Sequence, residues 1–341
     1  MINKQSIYYW FFFPLLALLS AGSLTSCIYD SVLEETDMSG KSTLSITMRG
    51  ITTTDPGSSG SYDDYVKTLR VIGFDANGSV VCNQLFDYVD NDIPNFEVTE
   101  SEEVNITQTL EDTFQGGVCD FYFIANEEGY TVDDSQDGLS EFLEGKNLTK
   151  DALDNCVIAF DESKLNTNYP ILMSATSSSQ LIKPGENVIG TVYLVRCIAA
   201  LQLVVKTPIS GVTLSNVSLT GSYPDSFSLF NINYQDFELM NILENRYLSP
   251  IAISEEEKNE DIVYSGRIFF PEQLRGDISA KYSFSINNKP FTLKVVDDDR
   301  LIVRNNCYKT IATYDYENSR VELSYEVTSW TNVEVNIPEF E

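Results

Sequence analysis

Apolar and polar residues alternate with a period of two over much of this 341-residue chain, which is the pattern of half-buried strands. In residues 41–49, Leu44, Ile46 and Met48 share one face, and the other face carries Thr43, Ser45, Thr47 and Arg49. Two apolar segments, 65–75 and 79–86, follow a polar loop and are separated by Ala-Asn-Gly at residues 76–78. Asn-Gly between apolar segments predicts a β-hairpin, because the turn needs residues that tolerate positive φ.

Further strands are predicted through the rest of the chain. They cover residues 96–110, 118–126, 213–220, 227–232, 262–270, 280–286, 291–296, 300–303, 308–314, 320–327 and 333–337. The apolar stretch at residues 188–206 is too long for one strand, so we divide it near Arg196 and Ala199. This division predicts two β-sandwiches in series, over residues 41–197 and 198–341.

Helix is scarce in the pattern. Leu139, Phe142 and Leu143 have helical spacing after Ser135 and Asp137, and Gly145 supplies a stop. Residues 149–155 predict a second short helical turn. We therefore expect an all-β fold with one or two short helices.

The N-terminal segment, residues 1–26, predicts a secretory signal. Lys4 precedes an apolar stretch at residues 7–21 that is too short to span a membrane comfortably. Leu24, a small Ser26 and then Cys27 resemble a lipobox, in which the Cys27 thiol is acylated and becomes the new N-terminus. The alternative is an ordinary signal with a chance cysteine. Residues 27–40 are acidic and predict a flexible tether to the outer membrane through lipid at Cys27.

Composition excludes several classes of protein. Asp and Glu number 51 against 22 Lys and Arg, for a net charge of −29, which disfavours nucleic acid and anionic lipid head groups. The chain has no histidine, so Ser-His-Asp and Cys-His nucleophile systems and His-based metal sites are absent. No catalytic motif stands out, and we predict that the protein is not an enzyme.

Cysteines and aspartates provide the remaining candidate ligands. Besides Cys27, five widely spaced cysteines follow no metal or redox motif, and we expect buried thiols that act as small hydrophobes; they are Cys82, Cys119, Cys156, Cys197 and Cys307. Asp87, Asp90 and Asp92, or the Asp297–Asp299 turn, lack the Gly and Glu placement of a calcium loop. We therefore expect solvated turns, with no metal and no cofactor.

Several motifs occur in an order that resembles the fimbrillins, the subunit family of lipoprotein-derived pili of Gram-negative gut and oral bacteria. After Cys27 and a short first strand ending in Arg49 come GFDANGSVV at 73–81, FYFIAN at 121–126, YPILMSA at 169–175, VYLVRCIAALQL at 192–203, VRNNCY at 303–308 and EVTSWTNVEVNI at 326–337. The family pattern has lysine where this chain has Ala200. The resemblance covers most of the chain after Cys27.

The resemblance implies two tandem transthyretin-like Greek-key β-sandwiches and a structural subunit of an adhesive surface fimbrium. It implies that an extracellular Arg/Lys-directed protease cuts between Arg49 and Gly50, removing the first strand. A neighbouring subunit's C-terminal strand then takes the vacant place. The matching donor residues are Val333, Val335 and Ile337. The implied partners are other fimbrial subunits, as a homopolymer or as tip and anchor proteins.

Alternatives remain open at each of these positions. Residues 41–49 are also compatible with a first strand that is never cut, in an anchor, a tip subunit or a non-polymerising lipoprotein. Residues 333–337 are also compatible with the last strand of the chain's own sheet. Nineteen Tyr and 19 Phe leave room for a surface that binds a host glycan or protein, including in a glycan-binding outer-membrane lipoprotein outside any pilus.

Overall fold

The structure is a computed structural model, and most of its described residues lie in strands. It describes residues 43–49, 66–87, 103–109, 116–133, 135, 137–161, 170–188, 192–207, 212–221, 223–230, 242–243, 251–252, 262–273, 279–296, 301–329 and 333–336. The all-β fold is confirmed: strands form sandwich-like layers, and the described part of the chain contains two short helices. The predicted domain boundaries stay a prediction.

The first half of the chain forms nine strands and both helices within the described ranges. They are β1 (Thr43–Arg49), β2 (Thr68–Asp75), β3 (Val80–Asp87), β4 (Glu103–Thr109), β5 (Gly117–Ala125), α1 (Leu139–Leu143), α2 (Lys150–Asp154), β6 (Val157–Ala159), β7 (Met173–Ile182), β8 (Glu186–Val188) and β9 (Val192–Arg196).

The second half supplies the other described strands. They are β10 (Ala199–Lys206), β11 (Leu214–Thr220), β12 (Tyr223–Pro224), β13 (Ser226–Ser228), β14 (Ile242–Leu243), β15 (Ile251–Ala252), β16 (Ile262–Phe270), β17 (Lys281–Ile286), β18 (Lys289–Lys294), β19 (Asn306–Asp315), β20 (Arg320–Ser329) and β21 (Val333–Asn336).

The largest sheet among these strands has the order β3-β2-β5-β7-β9-β21-β1-β4, with β8 also paired to β1. Strands β2 and β5 are buried on both faces. Val71 and Phe121 pack in one apolar core, whereas Ile72 and Tyr122 pack in a larger core on the opposite face. Because both faces are buried, the sequences of these strands are almost continuously apolar, and apolar and polar residues do not alternate along them.

A second sheet has the order β15-β16-β10-β19-β20. Its central strand β10 pairs antiparallel with β16 and parallel with β19. A third sheet, β11-β17-β18, adds Tyr282, Phe284 and Ile286 to the larger core. That core therefore draws side chains from both halves of the chain.

The division of the long apolar stretch is confirmed, because β9 ends at Arg196 and β10 begins at Ala199. Both predicted helical turns are also present. The second helix is capped by Thr149, whose side chain accepts a hydrogen bond from the Ala152 N–H, while the first begins after Gly138 with no side-chain cap. The prediction of a strand at residues 300–303 is wrong for its described part, since Ile302 makes only an isolated bridge to Gln273.

The predicted hairpin is confirmed, with residues 76–78 as its loop. The Asp75 N–H donates to the Ser79 carbonyl at 2.9 Å, which leaves a three-residue loop in which Gly78 has φ of 78° and Asn77 has negative φ. The Asp75 carboxylate accepts hydrogen bonds from the backbone N–H groups of Ser79 and Asn77 at 2.8 and 2.9 Å. These bonds lower the pKa of Asp75, the bond from Ser79 contributing most.

Asp75→Asn should lower the unfolding temperature at neutral pH, because the amide is a weaker acceptor for the turn N–H groups. A depressed carboxyl pKa stabilises the fold above the pKa of the unfolded chain, and that contribution disappears as pH falls through the folded pKa. The difference between wild type and variant should therefore shrink below about pH 4. Thermal unfolding followed by circular dichroism from neutral to acid pH measures it. Asn77→Ala, which keeps the backbone N–H, is the control with a smaller effect, and a pH-independent difference would contradict the assignment.

A buried ion pair lies beside the central strands of the first sheet. The Arg70 guanidinium donates to both carboxylate oxygens of Glu127 at 2.7 Å, and the two side chains are 3% and 1% exposed. Arg70 also donates to Asn83 and to Glu144, both at 3.0 Å. Burial lowers the Arg70 pKa, but the bonds to Glu127 and Glu144 outweigh it and raise that pKa overall.

All five cysteines after Cys27 are buried, as the sequence predicted. Cys119 lies in β5, and burial is the main reason that the pKa of its thiol rises to about 11, with a further contribution from the charges of Asp75 and Asp120. Cys197 lies in the bend between β9 and β10, and burial raises its pKa as well.

Candidate functional site

The last described strand of the chain lies in the largest sheet, beside the first strand. Strand β21 is antiparallel to both of its neighbours: Val335 pairs with Met48 of β1 on one edge and with Val192 of β9 on the other. The two ends of the chain that the sequence marked as a removable strand and a donor strand therefore meet in the same sheet.

Strand β1 is an interior strand. It pairs antiparallel with β4 along its whole length, from Thr43 opposite Thr109 to Arg49 opposite Glu103. On its other edge, residues 43–45 pair in parallel with β8, and residues 47–48 pair with β21. Removing β1 would consequently leave unpaired backbone groups on β4, β8 and β21 at once.

In the pairing of β21 with β9, the valines of β21 lie opposite buried residues of β9, and the glutamate lies opposite an exposed one. Val333 is opposite Leu194 and Val335 is opposite Val192, and the side chains of Leu194 and Val192 are buried in the smaller apolar core. Glu334 is opposite Tyr193, which is 50% exposed. The strand positions that carry valine are thus the ones opposite the buried face of β9.

Strand β9 is held firmly at its far end. Arg196 is fully buried, and its guanidinium donates to the Asn305 side-chain oxygen at 3.1 Å. The next residue, Cys197, donates its backbone N–H to the Leu172 carbonyl at 3.0 Å. Beyond this point, Arg304 forms a buried ion pair with Glu272 and donates to the Ser228 carbonyl at 2.7 Å. The sheet edge that receives β21 is therefore anchored by polar contacts reaching into the second half of the chain.

Arg49, the predicted cleavage residue, is the last residue of β1. The two residues before it, Thr47 and Met48, have strand neighbours on both edges. A protease acts on chain that is at least transiently open, so a cut after Arg49 requires these residues to separate from their partners first.

The remaining predicted site residues have different outcomes. Cys27, Gly50 and Ile337 lie outside the described residues, as do Asp90, Asp92 and Asp297–Asp299, whereas Asp87 ends β3. Within the described ranges, no group of three or more Cys, Asp or Glu side chains is arranged to hold a metal ion. No helix among the described residues is long and apolar enough to cross a membrane.

The sequence did not indicate that β8 and β9 would be the neighbours of the terminal strands. Strand β8 has only three residues, and its parallel pairing with β1 joins positions more than 100 residues apart. The valine alternation of β21 was the one available signal, and it identifies a strand without identifying its partner.

The fold is that of the fimbrial subunits of Porphyromonas gingivalis. The tip fimbrial protein Mfa3, solved with a C-terminal truncation, is 13% identical, with a TM-score of 0.55 over 85% of this chain and 100% of that one. A fimbrilin (FimA) of strain W83 is 10% identical, with a TM-score of 0.54 over 87% of this chain and 99% of that one. At these identities the likeness shows the fold alone. No curated protein sequence matches the chain.

The class of the molecule is thus a layered all-β protein with the fold of fimbrial subunits. The model of the major fimbrial subunit protein (FimA) family matches residues 42–222, slightly more than half of the chain. The chain belongs to the FimA major fimbrial subunit family. It is a structural subunit of surface fimbriae, and its partners are other fimbrial subunits.

Proposed function

We propose that this subunit is exported as a lipoprotein and polymerises by exchanging its C-terminal strand after the first strand has been removed. The observation that supports the proposal is the position of β21 between β9 and β1. The last strand of this chain is compatible in direction and register with the sheet that contains the first strand. An identical strand from another subunit could fill the place that β1 leaves in this sheet, by strand addition at the vacated edge.

Cleavage between Arg49 and Gly50 would start the exchange. Loss of β1 removes one of the two strands that pair with β21 and leaves the edge of β4 unpaired. The chain's own β21 is then held only by β9, and the vacated edge accepts the C-terminal strand of the next subunit. Val333, Val335 and Ile337 are the donor residues of this proposal, and a protease specific for Arg or Lys supplies the cut.

Lipid at Cys27 would hold the precursor at the outer membrane until cleavage separates the fibre-forming part from the anchored peptide. Several acyl chains together are enough for stable anchoring. The assembled fimbriae would serve adhesion to a host glycan or protein.

Arg49→Gln tests the proposal directly. In wild-type fimbriae shed from the cell surface, N-terminal sequencing should find a mature N-terminus at Gly50. The variant should keep its acylated Cys27, fail to enter fimbriae and accumulate as a cell-bound precursor. Arg49→Lys is the matched control, because it keeps the positive charge that the protease requires and should assemble normally.

A variant that assembles with an intact first strand would contradict the role of Arg49. That outcome would favour an uncleaved anchor or tip subunit, a reading supported by the presence of β1 and the chain's own β21 in one sheet. An anchor would retain lipid at Cys27 inside the fibre, which mass spectrometry of the N-terminal peptide distinguishes.

A further inference from the structure

Strand β20 forms an exposed edge of the second sheet. Among the described strands it pairs only with β19, from Arg320 opposite Asp315 to Ser329 opposite Asn306. Every residue of β20 is exposed or half-buried, although its neighbour β19 is largely buried. A ten-residue exposed edge strand is a template for pairing with another strand.

The two faces of β20 differ in chemistry. Val321, Leu323, Tyr325 and Val327 alternate with polar residues and lie opposite core residues of β19, yet Leu323 is 42% exposed and Val327 is 41% exposed. The other face carries Arg320, Glu322, Ser324, Glu326 and Thr328. An apolar stripe at an exposed edge is unusual in a strand that stays unpaired.

We propose that β20 is a self-complementary edge that pairs antiparallel with β20 of a second copy of this chain, centred on Leu323. When a two-fold axis normal to the sheet relates the two copies, directly opposite residues point to the same face. Odd-numbered residues of one copy then lie opposite odd-numbered residues of the other, and the two apolar stripes lie on the same face. With Leu323 opposite the second copy's Leu323, Val321 is opposite Tyr325 and Arg320 is opposite Glu326.

Charge selects this register over its neighbours. Centring on Glu322 places two Glu322 residues opposite each other, and centring on Ser324 places Glu322 opposite Glu326 twice. Like charges directly opposite destabilise a strand pair. The register centred on Leu323 instead creates two symmetric Arg320–Glu326 pairs and places Glu322 opposite the uncharged Ser324.

Within one chain these charges have other partners. Arg320 donates to Asp315 at 3.2 Å and to Glu322 at 2.7 Å, while Lys309 pairs with Glu326 at 3.3 Å, all at side chains that are 23–61% exposed. Arg320 and Glu326 are six residues apart on β20, about 20 Å along the strand, so they cannot pair within one copy. An effect that depends on both residues together therefore reports on contact between copies.

Disulfide trapping of the full-length chain tests the geometry. Leu323→Cys puts two thiols opposite each other at the dimer axis, within the distance that a disulfide needs. Val327→Cys is the matched control, because it has almost the same exposure on the same stripe but lies about 26 Å from its own counterpart in this register. Mild oxidation should give a covalent dimer with Leu323→Cys and only the parent background with Val327→Cys.

Charge reversal tests the register without cysteines. Arg320→Glu alone and Glu326→Arg alone should each weaken dimerisation of the full-length chain about tenfold in sedimentation velocity, and the double reversal should restore it. Glu322→Gln should leave the dimer unchanged, since Ser324 faces it. Circular dichroism checks that each variant folds. Equal yields of disulfide-linked dimer at positions 323 and 327 would overturn the proposal, as would a double reversal that dimerises no better than the single variants. Neither measurement depends on cleavage at Arg49.

Discussion

Val335→Pro is expected to eliminate all fimbrial species larger than a monomer. Val335 has a strand neighbour on both sides, Met48 on one edge and Val192 on the other. Proline lacks the backbone N–H and is tolerated only at sheet edges, so it is incompatible with this interior position. In the proposed fibre the donated strand fills the place of β1 between β4 and its other neighbours, which is again an interior position. Each loss of about 1.4 kcal/mol lowers the association constant of every joint tenfold.

The measurement is a ladder of oligomers on a gel after mild heating of surface material, with folding of the monomer checked by circular dichroism. Val335→Ala keeps the N–H and the strand direction, so it should shorten the ladder without abolishing it. An unchanged ladder from Val335→Pro, in a chain that is folded and cleaved, would show that residues 333–336 are not the donor.

Glu127→Ala should be among the most destabilising single substitutions in the described part of the chain. It leaves the Arg70 guanidinium buried with only the exposed carboxylate of Glu144 to compensate its charge. Breaking a buried pair by removing one partner typically costs about 3–5 kcal/mol, because an uncompensated charge stays in a medium of low polarity.

The chain contains its own control one residue away. Glu128 pairs with Lys67 at 3.0 Å, but these side chains are 70% and 43% exposed. Glu128→Ala should change the free energy of unfolding by no more than about 0.5 kcal/mol. Denaturant titration of both variants measures the contrast. A difference of less than about 1 kcal/mol between them would mean that Arg70 finds other compensation.

Local patterns predicted local structure well. The break between β9 and β10 could be predicted because the apolar stretch at residues 188–206 is too long for one strand. The hairpin between β2 and β3 could be predicted from Asn-Gly in its turn. The hydrogen bonds from Asn77 and Ser79 to the Asp75 carboxylate, which hold the three-residue loop, were not predicted. Side-chain acceptors next to a turn can select its type.

The sequence was least informative where pairing partners are distant. Strand β7 was not predicted, since Ser174, Ser177, Ser178 and Ser179 obscure its alternation, although it joins β5 along most of its length. The pairing of β21 with β9 and β1 could not be derived, because a valine alternation fits any half-buried edge. Which edge it meets depends on the assembled sheet rather than on nearby residues.

Burial of Cys119 has a consequence for life outside the cell. Peroxides and other oxidants attack the thiolate rather than the thiol, and a pKa of about 11 leaves roughly one Cys119 in ten thousand ionised at neutral pH. The buried Cys119 thiol in β5 is therefore slow to oxidise. In an extracellular fimbria this thiol is protected from oxidants that would attack an exposed cysteine.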